Sequence, residues 1–530
     1  MKMKRYIRII ASMLLGGAIL GACNGTDYDF SVCEMKVDRD AIVDVAAQNP
    51  GQEAVVLTTT APYWMVQTPD WITPDATTGY GEQSIITFTI ASNFKNENTD
   101  MAARSGEIKI SGGMTSVIIT VNQLGYTAPV DPDASIGGIT DIDEFKDFVA
   151  AVNNGRKLSR WYNSDGEVEL LTDIDLSDFT EWEPIGMPEK VTYGNNSLTY
   201  TGSAFKGKFN GGGHTISNFN LTAAVGKDAA VGFFGMLEGA TVKDLTINGK
   251  MSISATGAGS AGMLAGAMIS TTVENVKVNA DVEFKGTITS DRFATGGVVG
   301  FTYGTGDANS LIKDCVMTGN VNAVSGDGNT ANGATAVVYG GITGFSTTPA
   351  ESANVIANCE NNGKITASLG RCSGIVATAH AGTTISGCVN NADQVNTFGD
   401  GRIGNIVSVI GTKGRIEDCI NNGNLTTTTA KTTTGAIAAL LNESHVVIKG
   451  GRNNGTIIGG NTSTIGLIAA NFSKFSSVSG FTVSGKIGYY KEDGNHEMQD
   501  LNEGTYMKFI GKITSANLAK VTDIKFEPAK

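Results

Sequence analysis

Three patterns of apolar and polar positions follow one another along the chain. Between about 34 and 125, apolar residues alternate with polar ones. Examples are Ser84-Ile85-Ile86-Thr87-Phe88-Thr89-Ile90, Glu107-Ile108-Lys109-Ile110 and Ser116-Val117-Ile118-Ile119-Thr120-Val121. A period of two predicts half-buried strands, and Gly112-Gly113 between two of them marks a hairpin. Six or seven such strands in about 90 residues fit an immunoglobulin-like sandwich. From 140 to 155 the period changes. Ile142, Phe145, Phe148, Val149 and Val152 fall on one helical face, Asp141 and Glu144 form a cap-like pair, and Gly155 ends the run.

The third pattern is a repeat. Ile416-Glu417-Asp418-Cys419-Ile420-Asn421-Asn422-Gly423-Asn424-Leu425 matches Ile356-Ala357-Asn358-Cys359-Glu360-Asn361-Asn362-Gly363-Lys364-Ile365. Looser copies put Gly249, Ala280, Gly319, Ala392, Gly455 and Gly485 at the glycine position, with steps of 31, 39, 44, 29, 31, 32 and 30 residues. Such a period predicts a solenoid whose coils bury their apolar edges only against each other. A second element recurs in each repeat, as in Gly296-Gly297-Val298-Val299-Gly300 and Gly340-Gly341-Ile342-Thr343-Gly344. Cys315, Cys359, Cys388 and Cys419 share one repeat position and should stack as an inward column. Asn-Asn-Gly at 361–363, 421–423 and 453–455 should stack as an asparagine ladder at a turn. Extra residues at 301–311, 321–339 and 345–354 are expected as loops, and the helix over 140–155 as the lid on the first coil, whose open edge would otherwise invite aggregation.

The expected architecture is therefore all-β: a sandwich followed by a right-handed parallel β-helix with an α-helical cap. The divisions are 1–22 signal peptide, 23–33 tether, 34–125 sandwich, 126–137 linker, 138–487 β-helix and 488–530 closing tail. The linker carries Pro129, Asp131, Pro132 and Asp133, which make it stiff and solvated.

The chain opens with Lys2, Lys4, Arg5 and Arg8 and an apolar stretch from Ile9 to Leu20, too short for a lasting membrane span. Leu20-Gly21-Ala22-Cys23 resembles a bacterial lipoprotein signal, which implies acylation of Cys23. Acidic residues just after it, Asp27 and Asp29, resemble the surface-export signal of Bacteroidetes lipoproteins. An outer-membrane protein facing the cell exterior is expected, touching membrane only through its lipid. Without those four cations, 35 basic residues stand against 52 acidic, a net charge of −17. Such a chain is a poor ligand for nucleic acid. No C-x-x-C pair or other clustered ligand set occurs, so no metal or cofactor is expected.

Two family resemblances refine this reading. Trp64-Met65-Val66, Pro69-Asp70-Trp71-Ile72, Asn93, Arg104-Ser105-Gly106 and Val121-Asn122-Gln123-Leu124-Gly125 resemble a BACON domain. That resemblance implies a carbohydrate- or mucin-binding module, or a spacer. Trp64 and Trp71 could stack on sugars or fill the core. Trp182-Glu183-Pro184-Ile185-Gly186, Phe205-Lys206-Gly207-Lys208-Phe209-Asn210-Gly211-Gly212-Gly213-His214 and Val231-Gly232-Phe233-Phe234-Gly235 resemble the opening of GLUG-motif β-helices, with Asn210 in place of the usual aspartate.

Polysaccharide cleavage on a β-helix needs carboxylates facing across a cleft. Asp244, Asp314 and Asp418 share one repeat position, and Glu274 and Glu417 another, but lysines alternate with them, as on a solvated face. The expected function is thus non-catalytic binding of glycan or mucin, or adhesion to host or microbial surfaces, by a monomer. A polysaccharide lyase or glycoside hydrolase and a structural envelope spacer are the alternatives. Trp161, Tyr162, Tyr193 and Tyr200, outside the repeat register, are the candidate sugar-stacking aromatics.

Overall fold

A computed structural model describes residues 33–528 except 96–100, 127–134, 180, 287–291, 326–336, 350–352, 400, 430, 461–462, 492, 494 and 514–519. Cys23 and, within the expected loop insertions at 321–339 and 345–354, residues 326–336 and 350–352 lie outside the described residues. The chain divides into two compact units, Met1–Asp131 and Pro132–Lys530.

The first unit is a sandwich of a four-stranded and a five-stranded sheet. Its core is the inward half of the alternating runs: Val55, Leu57, Ile86, Phe88, Ile108, Ile110, Ile119 and Val121 are fully buried. The hairpin expected at Gly112-Gly113 joins Arg104–Gly112 to Thr115–Gln123 in antiparallel register, with Gly113 at φ 60°.

The second unit is a parallel β-helix with three sheet faces. One face is a continuous sheet whose early strands, Thr215–Val225, Thr241–Ala255 and Thr272–Gly286, are long and whose later coils break into three short strands each. The other two are built from short strands, eight on one and nine on the other among the described residues. The long-strand face alternates: Thr272–Gly286 buries Val273, Val276, Val278, Ala280, Val282 and Phe284 and turns the intervening residues outward. Coils stack in register with the sequence repeat. Gly249 pairs with Ala280, and a Cβ added to Gly363, Gly423, Gly455 or Gly485 would run into the carbonyl oxygen of Gly319, Ala392, Gly423 or Gly455 in the coil before. That close approach explains glycine at these four positions.

The cysteine column forms as expected. Cys315, Cys359, Cys388 and Cys419 are buried and free of disulfides, each thiol turned toward the carbonyl two residues earlier. Burial pushes the Cys359 thiol up, which keeps it neutral. Gly451 continues the column, and the Phe481 ring of the next coil fills the space it leaves.

The asparagine ladder forms twice over. Inside, the side-chain amides of Asn361, Asn390 and Asn421 each donate to the carbonyl oxygen of the next, ending on Asn453, at 2.8, 3.1 and 2.8 Å. Outside, Asn454, Asn422 and Asn391 donate in the opposite direction, ending on Asn362. Beside them runs a column of left-handed turn residues: Asn218, Asp244, Asn275, Asp314, Asn358, Gly387, Asp418, Gly450 and Gly480 all have φ between 51° and 67°. Asparagine, aspartate and glycine are the residues that accept this conformation.

The cap is the helix α1 (Ile142–Asn153). The Asp141 carboxylate accepts from the backbone N–H groups of Asp143 and Glu144. The Glu144 side chain does not complete a capping box. It accepts instead from Arg160 and from the indole N–H of Trp161, at 2.6 and 2.9 Å. Phe145 and Phe148 lie over a pile of rings from the opening phrase: Trp182, Phe205, Phe209 and Phe233. At the far end the parallel pattern does not stop at 487. After an antiparallel hairpin, Ile487–Tyr490 with His496–Gln499, the strands Lys512–Ile513, Lys520–Thr522 and Lys525–Phe526 add one more partial coil. The repeat motif has worn away there, but the ladder still supplies partners for the backbone.

Two outcomes are expected. Asn390→Ala removes a buried rung and strands the amide groups of Asn361 and Asn421, so equilibrium denaturation should show a loss of about 2–4 kcal/mol. Asn391→Ala on the exposed ladder should cost under about 0.5 kcal/mol. The hydrogen bonds from Arg160 and Trp161 hold the Glu144 carboxyl below its ordinary value of 4.5. A depressed carboxyl stabilises the fold above its unfolded pKa, and that contribution is lost as pH falls through the folded value. Glu144→Gln should therefore lower the thermal midpoint at neutral pH and flatten its decline below about pH 4.5.

Candidate binding surface

The sandwich residues singled out by sequence hold that unit together. Trp64 is core, with its indole N–H donating to Ser84 Oγ at 3.2 Å. Trp71 is half-buried, and the Arg104 guanidinium lies 4.4 Å from its ring centroid. Gly106 and Pro69 sit against Trp71 as well, and a Cβ on Gly106 would strike it. Arg104 also donates to Gln123 Oε1 and the Ala91 carbonyl oxygen, Gln123 to the carbonyl oxygens of Ala46 and Ala91, and buried Asn93 to those of Ala102 and Leu124. Asn93, Arg104 and Gln123 thus tie strand ends together, with Trp64 in the core and Trp71 partly exposed beneath Arg104.

The four aromatics of the second unit are not gathered on one exposed face. Trp161 is 2% exposed beneath α1, edge-on to Phe148, with its N–H on Glu144. Tyr162 is half-buried and borders a cleft of about 460 Å³ with Arg156, Leu158 and Lys206. Tyr193 and Tyr200 belong to a structure the sequence reading did not anticipate, an antiparallel hairpin of Pro188–Tyr193 and Leu198–Gly202 that leaves the first coil. Tyr193 packs on Phe301 and donates to the Ala229 carbonyl oxygen, with Ser260 Oγ 2.8 Å away; burial raises its phenol strongly. Tyr200 donates to Glu238 at 2.7 Å, and the Lys206 ammonium, itself paired with Glu238, lies 6.0 Å from the ring.

This hairpin covers the proximal part of the short-strand faces. Ala265–Ile269 and Thr343–Thr347 have no exposed residue. Their inward side chains line the lumen. Their outward ones form two columns, read from successive pairings: Ala230, Ser260, Ala294, Val338 and Met236, Ala267, Phe301, Phe345. The hairpin lies over both columns with Val191 and Leu198. Its tip is pinned further along: Thr347 Oγ donates to the Asn195 carbonyl oxygen at 2.8 Å, and Asn196 Oδ1 lies 2.9 Å from His380 Nδ1.

Past the tip the columns change character. The first continues as Arg371, Arg402, Thr433, and the second as Thr378, Val409, Leu440. Arg371 reaches across to donate to Thr378 Oγ at 3.1 Å. Arg292, just ahead of the strand Phe293–Gly296, donates to Asn195 Oδ1 at 3.0 Å and rests 4.2 Å from the Phe345 ring centroid. His380 is held below its usual value, first by burial and then by Arg292 and Arg371 against the opposing pull of Glu443. No local motif announces this group, because its members belong to different repeats. The register of the short strands is what brings them together.

The carboxylates weighed for hydrolysis do share columns but are not neighbours. Asn275 lies between Asp244 and Asp314 and donates to Asp244, while Asn358 beyond Asp314 donates to it in turn. Glu274 is separated from Glu417 by Lys313, Ala357 and Ser386 and is paired with Lys313 at 2.7 Å. His214 sits in the turn after Phe209, 3.1 Å from Asp173. Among the described residues, no group of three His, Cys, Asp or Glu side chains could hold a metal ion.

Residues 63–124 match the BACON family, described as "Putative binding domain, N-terminal". No curated protein shows significant similarity to this chain. Three solved structures share weak likeness. The Bacteroides ovatus GH5 xyloglucanase in complex with a XXXG heptasaccharide is 13% identical over 35% of this chain and 36% of that one, with a TM-score of 0.15. A chain described as a "putative immunoglobulin A1 protease from Bacteroides ovatus" is 16% identical over 68% of this chain and 78% of that one, with a TM-score of 0.33. An "IgA1 Protease" is 14% identical over 75% of this chain and 26% of that one, with a TM-score of 0.37. This chain thus spans about a third of the first of these and a quarter of the last.

If the hairpin is the cover of this face, replacing residues 189–201 with a short glycine-serine link should uncover Met236, Phe301 and Phe345. Binding of a hydrophobic dye should rise and the thermal midpoint should fall. An unchanged dye signal would contradict that role.

Proposed function

We propose that this protein is a surface-displayed lipoprotein, anchored in the outer membrane through acylated Cys23, that binds glycan or mucin without cleaving it. The observation that carries the reading is the match of residues 63–124 to a family described as a binding domain. The carboxylate columns support the non-catalytic half, because asparagine, alanine, serine or lysine separates members that would have to act as a pair. The second unit, a rod of the GLUG type, serves as a scaffold whose outward rows offer shallow polar contact. An adhesin would use the same surfaces for a ligand carried on a neighbouring cell.

The purified full-length chain, applied to an array of host and microbial glycans, should be retained by a defined subset. The same glycans should show no new reducing ends or unsaturated products after incubation. Appearance of such products would replace the binding reading with a polysaccharide-cleaving one. Normal folding with no retention would leave a structural spacer.

A further inference from the structure

We propose that Arg292, Arg371 and Arg402, beyond the hairpin tip, form a binding site for one oxyanion group, either the carboxylate of an acidic sugar or the sulfate ester of a sulfated one. The site stands on its own geometry; only the glycan source of the oxyanion rests on the function proposed above.

Arg371 and Arg402 are direct partners in adjacent parallel strands, so their side chains leave the same face about 4.8 Å apart. Like charges in that position repel. Arg292 adds a third cation, and it and Arg402 both act on Arg371, which burial and these neighbours push down to about 9. The chain carries 52 acidic residues against 39 basic ones, yet none of the three arginines has an ion-pair partner among the described residues. Glu443, the one acid acting on His380, is hydrogen-bonded to Thr412.

Two guanidinium nitrogens, Nε of Arg292 and Nε of Arg371, are buried with no hydrogen-bond partner. Both side chains keep partial exposure, but a buried N–H left without an acceptor costs stability. A bound oxyanion would relieve it, since the planar guanidinium fork matches carboxylate and sulfate oxygens two at a time. The surroundings fit such a group. Phe345 floors Arg292, Thr378 fixes Arg371, and Asn195 and Asn196 at the hairpin tip form one wall with His380.

The test follows thermal midpoints of the full-length chain with inorganic sulfate or acetate, at ionic strength held constant with chloride. One of these anions should raise the wild-type midpoint saturably. Arg371→Met should abolish that rise and yet, without the anion, melt no lower than the wild type, because it removes an uncompensated charge. A structural arginine would do the opposite, and a lower anion-free midpoint for this variant would overturn the site. Arg402 is exposed, so Arg402→Met keeps the fold and should weaken the anion by about tenfold. Equal anion response in that variant, or no response in the wild type beyond that to chloride, would also overturn the proposal. Retention on polygalacturonate or on chondroitin sulfate, compared with neutral mannan, then identifies the carboxylate or the sulfate ester as the natural group. Retention on mannan with no anion response would sink this site and spare glycan binding. An anion response with no glycan retention would do the reverse.

Discussion

Register between coils is the constraint on which the second unit depends. Each coil is a short piece of chain with no core of its own. Its backbone groups are satisfied only by the coils above and below, so a slip of one residue would turn every lumen side chain outward. The glycine column prevents slips sterically, because Gly249, Gly363, Gly423, Gly455 and Gly485 press against the carbonyl of the preceding coil. The inner asparagines prevent slips chemically, since a buried amide displaced from its rung has no other partner. Asn361 marks where this second device begins. The coil before it offers Met317 in that place, and the Asn361 Oδ1 atom is left without a partner.

The same register decides what the outer surface can do. Columns that alternate acid with amide or lysine give a polar face with no opposed carboxylates. The short-strand face is different. Small and aromatic residues run along its first half under the hairpin; past the tip cations enter the first column, while the second continues with Thr378, Val409 and Leu440. The change falls between Val338 and Arg371, which are direct partners. The hairpin and the columns beneath it form one packed unit.

What repeats in the chain could be read from it. The cysteine column, the asparagine ladder and the small residues around the short strands recur at the same phase and occupy the expected place; the left-handed turn does not fall on Asn-Asn-Gly but three residues earlier, at Asn358, Asp418 and Gly450. The helix over 140–155 closes the first coil because its apolar spacing admits no other use. The hairpin was invisible because it occurs once. Tyr193 and Tyr200 read as exposed aromatics in a polar stretch, and nothing local shows that Phe301 and Phe345, more than a hundred residues later, receive them. Trp161 reads as exposed by the same logic, since its partner Glu144 reads as half of a capping box. The arginines escaped notice because Arg292, Arg371 and Arg402 lie in three different repeats whose lengths differ. Alternation of sign along the long strands was a sound guide to a solvated face, but it carries no information about the other two faces.

The hairpin also acts as a ruler. It starts in the first coil and is fastened at Thr347 and His380, so the number of coils between those points is set by its length. Duplication of a coil in that span would carry the fastening points about 5 Å beyond its reach. Beyond His380 no such tie exists among the described residues, so the hairpin sets no coil count there. A change in coil number would therefore strain the hairpin only in the proximal half; the distal half carries no such constraint.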